Sequence, residues 1–263
     1  MDTSLKNKKT FVCGSTQGIG KAAAIELANL GASIVLLARN EDSLKQVKDE
    51  LNTAQNQQHD YIVADFFAPD ELKNRVGEYL KANPSPVHIL INNTGGPAAG
   101  KAIDADVQEF VNAFQAHLIC SQILVQSLVE GMKSEKYGRI INVISTSVKQ
   151  PVPNLGVSNT IRGAVASWAK TLAGELGEFG ITVNNVLPGF TKTQRLASII
   201  ENKANKTGAS IEQIELEMQT ETPARRFGEA SEIANAIAFL SSPAASYING
   251  VNLPVDGGRT TSL

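Results

Sequence analysis

The chain has 263 residues, of which 42% are hydrophobic, and its formal net charge is −2 at pH 7. This length allows one large α/β domain, and the near-neutral charge argues against a nucleic-acid partner, which would need many phosphate contacts. No apolar run is long enough to cross a bilayer, and the polar N-terminus lacks an apolar leader segment, so we expect no membrane partner and a cytoplasmic location.

Short apolar runs alternate with longer helical patterns along the whole chain. Strands are predicted at 10–13, 33–37, 61–64, 87–91, 139–144, 181–187 and 251–255. Helices are predicted at 19–30, 41–54, 69–81, 107–132, 155–176, 193–220 and 231–240. Near-continuous apolar strands separated by helices are typical of a parallel sheet that is covered on both faces. The pattern therefore predicts that residues 1–263 form a single-domain Rossmann fold, an α/β fold with a doubly wound parallel sheet of about seven strands.

A glycine-rich segment, Cys-Gly-Ser-Thr-Gln-Gly-Ile-Gly at 13–20, connects the first predicted strand to the first predicted helix. Glycines at such a junction let the backbone approach a pyrophosphate, and the free N–H groups of the helix start face the anion. The spacing is G-x-x-x-G-x-G instead of the commoner G-x-G-x-x-G, so the match is one of mechanism. We predict that the cofactor is bound here by Gly14, Ser15, Thr16, Gln17, Gly18, Ile19 and Gly20.

The second predicted strand ends in Ala-Arg-Asn at 38–40, without an acidic residue. An acidic residue at this point would bind a ribose 2′-hydroxyl and repel a 2′-phosphate. Arg39 can instead meet a phosphate with its planar fork of donors, and Ser15 and Thr16 add hydroxyls on the facing loop. The sequence therefore favours NADP(H), bound in part by Arg39 and Asn40. The alternative is that Arg39 is a solvated surface residue.

Polar residues also follow the third and fourth predicted strands. Asp65, with Phe66 after it, closes the third strand and is placed to accept a hydrogen bond from an adenine amino group. Asn93, Thr94 and Gly95 follow the fourth strand, where the backbone must approach a cofactor. Each segment alone is also readable as a turn. Because ligands bind at the carboxyl edge of such sheets, we assign all of them to the cofactor site.

Together these motifs resemble the short-chain dehydrogenase/reductase family, and within it the 3-oxoacyl-(acyl carrier protein) reductase type. The resemblance extends over essentially the whole chain and includes the segments 138–145, 183–189 and 249–258. It implies a small-molecule carbonyl or acyl-thioester substrate and a homotetramer. It also implies that the nicotinamide side is lined by Pro188, Gly189, Phe190, Thr191 and Thr193.

At the catalytic positions the chain departs from this family. The resemblance places Ser145 at the family's serine, Ser158 at its tyrosine, Arg162 at its lysine and His117 at its asparagine. Serine is much shorter than tyrosine and a poorer proton donor than a phenol with a pKa of about 10. Arg162 keeps a positive charge and can hold a ribose hydroxyl, but a pKa above about 12 prevents it from cycling a proton. The usual proton relay is therefore predicted to be absent.

Three replacements for the missing proton donor are open. Lys149, in a loop predicted to overhang the nicotinamide, would titrate near neutrality if it were desolvated. His117 has an ordinary pKa near 6.5, and water activated by Ser145 and Arg162 is the third route. The alternatives are that Lys149 is a solvated loop residue and that His117 only packs in a helix.

We expect no metal, because Cys13 and Cys120 lack metal-ligand spacing.

Two functions are compatible with these features. The first is an NADP(H)-dependent reductase of a carbonyl compound, 3-oxoacyl-type or a related ketone, with a rebuilt proton-donor site. The second is a catalytically silent protein that binds NADP(H) as a sensor or as an oligomer partner, because the tyrosine and lysine are replaced.

The polar segment 192–223 is predicted to be a mobile flap over the substrate. Arg195, Arg225 and Arg226 are placed to contact an acidic carrier, but the sequence identifies no substrate.

Overall fold

Seven parallel strands form one sheet in the computed structural model, which describes residues 1–262. In chain order they are β1 Lys9–Cys13, β2 Ser33–Ala38, β3 Asp60–Val63, β4 Ile89–Asn92, β5 Gly138–Val143, β6 Ile181–Pro188 and β7 Asn252–Val255. Their spatial order is β3-β2-β1-β4-β5-β6-β7. The chain thus reverses its direction of winding between β1 and β4, which is where open α/β sheets bind ligands. The predicted doubly wound Rossmann fold is confirmed.

Nine α-helices connect and cover the strands within residues 1–262. They are α1 Gly18–Asn29, α2 Glu41–Glu50, α3 Pro69–Ala82, α4 Val107–Phe114, α5 Cys120–Ser134, α6 Gly156–Leu176, α7 Gln194–Thr207, α8 Ile211–Thr220 and α9 Ala230–Ser241. One face of the sheet packs against α1, α2 and α9, and the other packs against α3, α5 and α6. Within β1, Val12 belongs to the first core while Phe11 and Cys13 belong to the second. This alternation follows from the two-residue repeat of a strand.

Three predicted helices differ from the structure by more than two residues or in their continuity. The second predicted helix ends at Glu50, four residues early, where Leu51 takes an extended backbone conformation. The predicted helix 107–132 contains a π-helical turn, Gln115–Ile119, between α4 and α5. The predicted helix 193–220 is two helices, because Gly208 at the end of α7 has a φ of +73°, a left-handed conformation that glycine adopts at little cost.

Four asparagine side chains form a ladder across four neighbouring strands of the sheet. Asn92 donates to Asn142 at 2.9 Å, Asn142 donates to Asn185 at 2.9 Å, and Asn185 donates to Asn252 at 2.7 Å. The four residues are in register on β4, β5, β6 and β7. The ladder ties these four strands to one another through their side chains as well as through the backbone.

Two further properties concern residues 1–262. No helix in this range is long and apolar enough to span a membrane. No three histidine, cysteine, aspartate or glutamate side chains in the same range are grouped so that they could hold a metal ion.

Candidate cofactor and active site

A cleft of about 510 Å³ runs along the carboxyl ends of the strands. Arg39 and Asp65 line one end of it, and Ser145 and Ser158 line the other. The structure thus brings residues from most of the strand ends to one continuous surface. The predicted cofactor residues that line it are Gly14, Thr16, Gln17, Gly18, Ile19, Arg39, Asn40, Asp65, Phe66, Asn93, Thr94, Gly95, Arg162, Pro188, Gly189, Phe190, Thr191 and Thr193.

The glycine loop is packed so tightly that side chains are excluded at two positions. Gly14 has a φ of +57°, and a Cβ there would lie 2.6 Å from the Asn93 carbonyl oxygen. A Cβ on Gly20 would overlap the Gly14 carbonyl oxygen and lie 2.8 Å from Asn93 Nδ2. Asn93 Nδ2 in turn donates to the carbonyl oxygens of Cys13 and Gly14, at 3.2 Å each. The loop is therefore held in one shape by the segment that follows β4.

Two residues of the predicted loop do not line the cleft. Gly20 lies beneath the loop, where it permits the close packing just described. Ser15 is fully buried, and its hydroxyl donates to the Leu37 carbonyl oxygen at 3.4 Å. The structure therefore does not bring the Ser15 hydroxyl to the surface that faces Arg39. Thr16 does line the cleft.

The N-terminus of α1 opens onto the cleft without a side-chain cap. Gln17, the residue before the helix, makes no capping hydrogen bond, and the first turn contains no acidic residue. Gly18 and Ile19, in that first turn, line the cleft. Uncapped backbone N–H groups at a helix start favour an anion through their hydrogen bonds and through the helix dipole. The arrangement suits a pyrophosphate.

At the other side of β1, Arg39 and Asp65 line the end of the cleft that the sequence predicts for the adenosine. Arg39 is exposed directly after β2. Asn40 Oδ1 accepts a hydrogen bond from the Ser43 N–H at 2.8 Å and so caps α2. Asp65 Oδ1 accepts from the Phe67 N–H at 2.9 Å. That turn uses one carboxylate oxygen of Asp65, so the second oxygen can accept from an amino group.

The reactive end contains two serines and a buried arginine. Ser145 follows β5, and its Oγ accepts from the Ser147 N–H at 3.1 Å. Ser158 and Arg162 lie four residues apart on α6, so they share one helix face, and each is 7% exposed. Arg162 Nη1 donates to the Val143 carbonyl oxygen at 2.9 Å, while Nε is buried without a partner among the described residues. Burial lowers the pKa of Arg162 to about 10, and the charge of Arg195 acts in the same direction.

His117 lies in the π-helical turn, beside this cluster but outside the cleft. It is 4% exposed and lines a separate small cavity together with Asn92, Thr94 and Arg162. Its Nδ1 lies 3.5 Å from Thr94 Oγ1. Burial lowers the pKa of His117 to about 2, with a smaller contribution in the same direction from the Arg162 charge. The expectation of an ordinary pKa near 6.5 is wrong, because His117 is desolvated and faces a cation.

The lowered pKa of His117 predicts an acid-sensitive fold. A histidine with a pKa near 6.5 in the unfolded chain and about 2 in the folded protein stays neutral when folded but takes up a proton on unfolding. This stabilisation is present above pH 6.5 and is lost as the pH falls. Between pH 7 and pH 5 we expect His117 to reduce the free energy of unfolding by about 2 kcal/mol. Urea unfolding of the wild type and His117→Asn at both pH values measures the difference.

The control for this experiment is Gln115→Asn, which changes the same π-helical turn without removing a titratable group. We expect its free energy of unfolding to decrease between pH 7 and pH 5 by as much as that of the wild type. Parallel curves for the wild type and His117→Asn would contradict the prediction.

Lys149 is not brought to the cleft surface. It follows the short 3₁₀ turn Thr146–Val148, and its N–H donates to the Thr146 carbonyl oxygen at 2.9 Å. Thr146 lines the cleft, but Lys149 does not, and its side chain is half-buried. The geometry therefore gives no support to Lys149 as the group that contacts a substrate oxygen.

Two further arginines line the reactive end of the cleft. The sequence placed Arg195 only as a contact for an acidic carrier, and it did not single out Arg259. Arg195, in the first turn of α7, donates from Nη1 to the Gly96 carbonyl oxygen at 3.1 Å and from Nη2 to the Pro97 carbonyl oxygen at 2.6 Å. Arg259 pairs with Glu221 at 3.1 Å and lies 4.1 Å from the centre of the Phe190 ring. The signal for Arg195 was its position two residues after Thr193, a predicted cofactor residue.

The predicted flap is a pair of helices with a small core of its own. Helices α7 and α8 bury Leu196, Ile200, Ala204, Ile214 and Met218, together with Phe227 from the following loop. Thr193 and Arg195, at the start of α7, line the cleft. The flap therefore forms one wall of the reactive end. Its mobility stays a prediction.

The fold and the cleft define a dinucleotide-dependent oxidoreductase. A model of the family described as "Enoyl-(Acyl carrier protein) reductase" matches residues 14–260. The chain belongs to the short-chain dehydrogenase/reductase family.

Named relatives are similar over nearly their full length. Glucose 1-dehydrogenase of Gluconobacter oxydans is 34% identical, over 96% of this chain and 92% of the relative. The NADPH-dependent reductase BacG of Bacillus subtilis is 28% identical, over 98% of this chain and 100% of the relative. The structure of L-sorbose reductase from Gluconobacter frateurii, complexed with NADPH and L-sorbose, has a TM-score of 0.92 at 28% identity and covers 100% of both chains. These relatives are dehydrogenases and reductases, and their names agree on no single substrate.

Proposed function

We propose that this chain is an NADPH-dependent reductase of a small carbonyl compound. The observation that carries the proposal is that the glycine loop, Arg39 and the Ser145–Ser158–Arg162 cluster share one cleft. A dinucleotide fits this cleft, because the loop excludes side chains at Gly14 and the start of α1 is uncapped. Arg39 supports the phosphorylated cofactor over NAD(H). The NADPH dependence of BacG and the NADPH in the sorbose reductase structure agree with this preference.

In the proposed reaction, Ser145 and Arg162 polarise the substrate carbonyl. When bound, NADPH supplies the hydride. Ser145 Oγ accepts the Ser147 N–H and keeps its own hydrogen to donate to the carbonyl oxygen. Arg162 adds a buried positive charge, held in place by the Val143 carbonyl, that stabilises the negative oxygen as it forms. Its remaining donors also suit a ribose hydroxyl of the cofactor.

The proton that completes the reduction comes, in this proposal, from water. Arg162 with a pKa of about 10 stays charged at neutral pH, so it stabilises the oxygen without supplying the proton. His117 is neutral and lies outside the cleft. Lys149 does not line the cleft either. Water in the cleft, polarised by Ser145 and Arg162, is the remaining route of the three that the sequence left open.

A steady-state assay of NADPH oxidation tests the proposal. The panel contains simple ketones, 2-oxo acids with their methyl esters, and 3-oxoacyl thioesters, which represent the finer 3-oxoacyl expectation. Turnover of any member supports a reductase. Tight NADPH binding with no turnover on the whole panel would overturn it in favour of a silent NADPH-binding protein. The homotetramer implied by the family resemblance stays a prediction that light scattering can check.

Restoring the family's proton donor is expected to raise activity. The double variant Ser158→Tyr with Arg162→Lys places a phenol and an ammonium four residues apart on α6, facing the cleft. Positioned general acids contribute about 10²- to 10⁴-fold, so we expect kcat toward an acetoacetyl-type thioester to rise at least about tenfold. Steady-state kinetics with NADPH measures the change.

The matched control is Ser158→Phe with Arg162→Lys, which has the same ring but no hydroxyl. We expect this variant to show no gain over the wild type. Equal rates for the Tyr/Lys and Phe/Lys variants would mean that these two positions do not face the reacting oxygen.

A further inference from the structure

Two arginine side chains meet at the reactive end of the cleft. Arg162 comes from α6 and Arg195 from α7. Their Nη2 atoms lie 3.6 Å and 3.2 Å from the point that a Cβ on Gly96 would occupy. Glycine at position 96 therefore leaves open the space between the two guanidinium groups. Both residues line the cleft, with Ser145 and Ser158.

Neither guanidinium is neutralised within residues 1–262. No carboxylate oxygen in this range lies within 4.0 Å of Arg162 or Arg195, whereas Arg259, which also lines the cleft, pairs with Glu221. Arg195 is held by two carbonyl oxygens, which position it without cancelling its charge. Asp65 is the only acidic residue among those that line the cleft, and it stands at the adenosine end. The reactive end therefore has an uncompensated positive charge.

Arg162 is buried and Arg195 beside it is exposed, and a buried cation next to a second cation is unfavourable unless an anion joins them. Desolvation lowers the pKa of both arginines, and the charge of Arg195 lowers that of Arg162 further. Arg162 Nε lacks a hydrogen-bond acceptor among the described residues, and Nη1 is occupied by Val143. The Nε and Nη2 atoms form the edge of a guanidinium that presents two parallel N–H groups, the edge that suits a planar carboxylate.

We infer that the substrate carries a carboxylate, which Arg162 and Arg195 bind next to the reacting carbonyl. The inference rests on the proposed reductase function and names its substrate class as oxo acids. The phosphates of the cofactor have other donors, since the uncapped start of α1 and Arg39 lie toward the opposite end of the cleft.

Binding of an unreactive anion to the NADPH-loaded protein tests this inference. The probe is oxamate, which has the shape of a 2-oxo acid, and the comparison is oxamide, its uncharged amide. We expect oxamate to bind at least about tenfold more tightly than oxamide, because charge-assisted hydrogen bonds contribute about 1.5–3 kcal/mol. We expect Arg195→Gln to remove about tenfold of the oxamate affinity and to leave the NADPH dissociation constant within about threefold. Isothermal titration calorimetry measures both.

The matched control is Arg75→Gln, which removes an exposed arginine of α3 outside the cleft. It is expected to bind oxamate and NADPH like the wild type. In the kinetic arm, a 2-oxo acid should exceed its methyl ester in kcat/KM, and Arg195→Gln should raise KM for the acid more than it lowers kcat.

Several results would overturn the inference while the proposed function stands. These are NADPH-dependent turnover with equal binding of oxamate and oxamide, or a loss of NADPH affinity in Arg195→Gln with oxamate binding unchanged. A higher kcat/KM for a phosphorylated ketone than for every 2-oxo acid would also contradict the inference that the substrate carries a carboxylate. If oxamate binding depends on Arg195 but no carbonyl compound is turned over, the anion site is supported and the proposed reductase function is wrong. If NADPH does not bind, the proposed function fails and the inference fails with it.

Discussion

Gly20→Ala is expected to weaken NADPH binding at least about tenfold and to destabilise the fold by about 1–3 kcal/mol. The new methyl group would overlap the Gly14 carbonyl oxygen and approach Asn93 Nδ2 to 2.8 Å. Both contacts belong to the loop that we propose cradles the pyrophosphate, and a backbone oxygen cannot rotate away. Overpacking at such a place costs about 1–3 kcal/mol, and the displaced loop loses its fit to the cofactor. Fluorescence titration with NADPH and urea unfolding measure the two effects.

Gly77→Ala is the control, because Gly77 lies within α3 with no atom within 4 Å of an added Cβ. The same chemical change there should raise the unfolding free energy by up to about 1 kcal/mol, since alanine is the better helix former, and leave NADPH binding unchanged. Wild-type NADPH affinity in Gly20→Ala would show that the loop does not contact the cofactor.

Arg39→Gln is expected to weaken NADPH binding about 10- to 100-fold while NADH binding changes by less than about threefold. The side chain lies at the end of the cleft where the ribose 2′-phosphate is expected, and its planar donors match a phosphate. Glutamine keeps hydrogen-bonding capacity but removes the charge. Parallel titrations with NADPH and NADH measure the preference directly. Because the interaction with Arg39 is charge-assisted, added salt should weaken NADPH binding more strongly in the wild type than in Arg39→Gln.

Arg75→Gln serves as the charge control, because it removes one positive charge outside the cleft lining. It should leave the ratio of NADPH to NADH affinity unchanged. Equal losses for both cofactors in Arg39→Gln would show that Arg39 does not read the 2′-phosphate. No loss for either would show that it is a solvated surface residue.

The parts of the site that lie in short continuous segments were predicted from the sequence. The glycine loop joins a strand to a helix within a few residues, and Arg39 and Asp65 each come directly after a strand. Parallel strands place all their carboxyl ends at one edge of the sheet. Residues that directly follow different strands could therefore be predicted to share one surface, without knowing how the side chains pack. The extent of a helix could not be predicted where the backbone conformation of one residue ends it. The left-handed turn at Gly208 divided one predicted helix into two.

Protonation and side-chain direction could not be predicted in the same way. His117 was expected to titrate near 6.5, but burial and the Arg162 charge lower its pKa to about 2. Ser15 was placed on the face of the loop, but its hydroxyl is buried against Leu37. Both outcomes depend on which atoms surround the side chain, and those atoms come from other segments of the chain.

By itself, the sequence determined the order of strands and helices along the chain, the doubly wound fold and the residues proposed for the cofactor groove, because each depends on hydrophobic periodicity and on neighbouring residues. Only the tertiary structure decided that Arg162 and Arg195 meet across Gly96, and that four asparagines join into one ladder. Arg195 and Gly96 are 99 residues apart in the chain. Charge compensation and desolvation arise from contacts between such distant segments, and no local pattern encodes them.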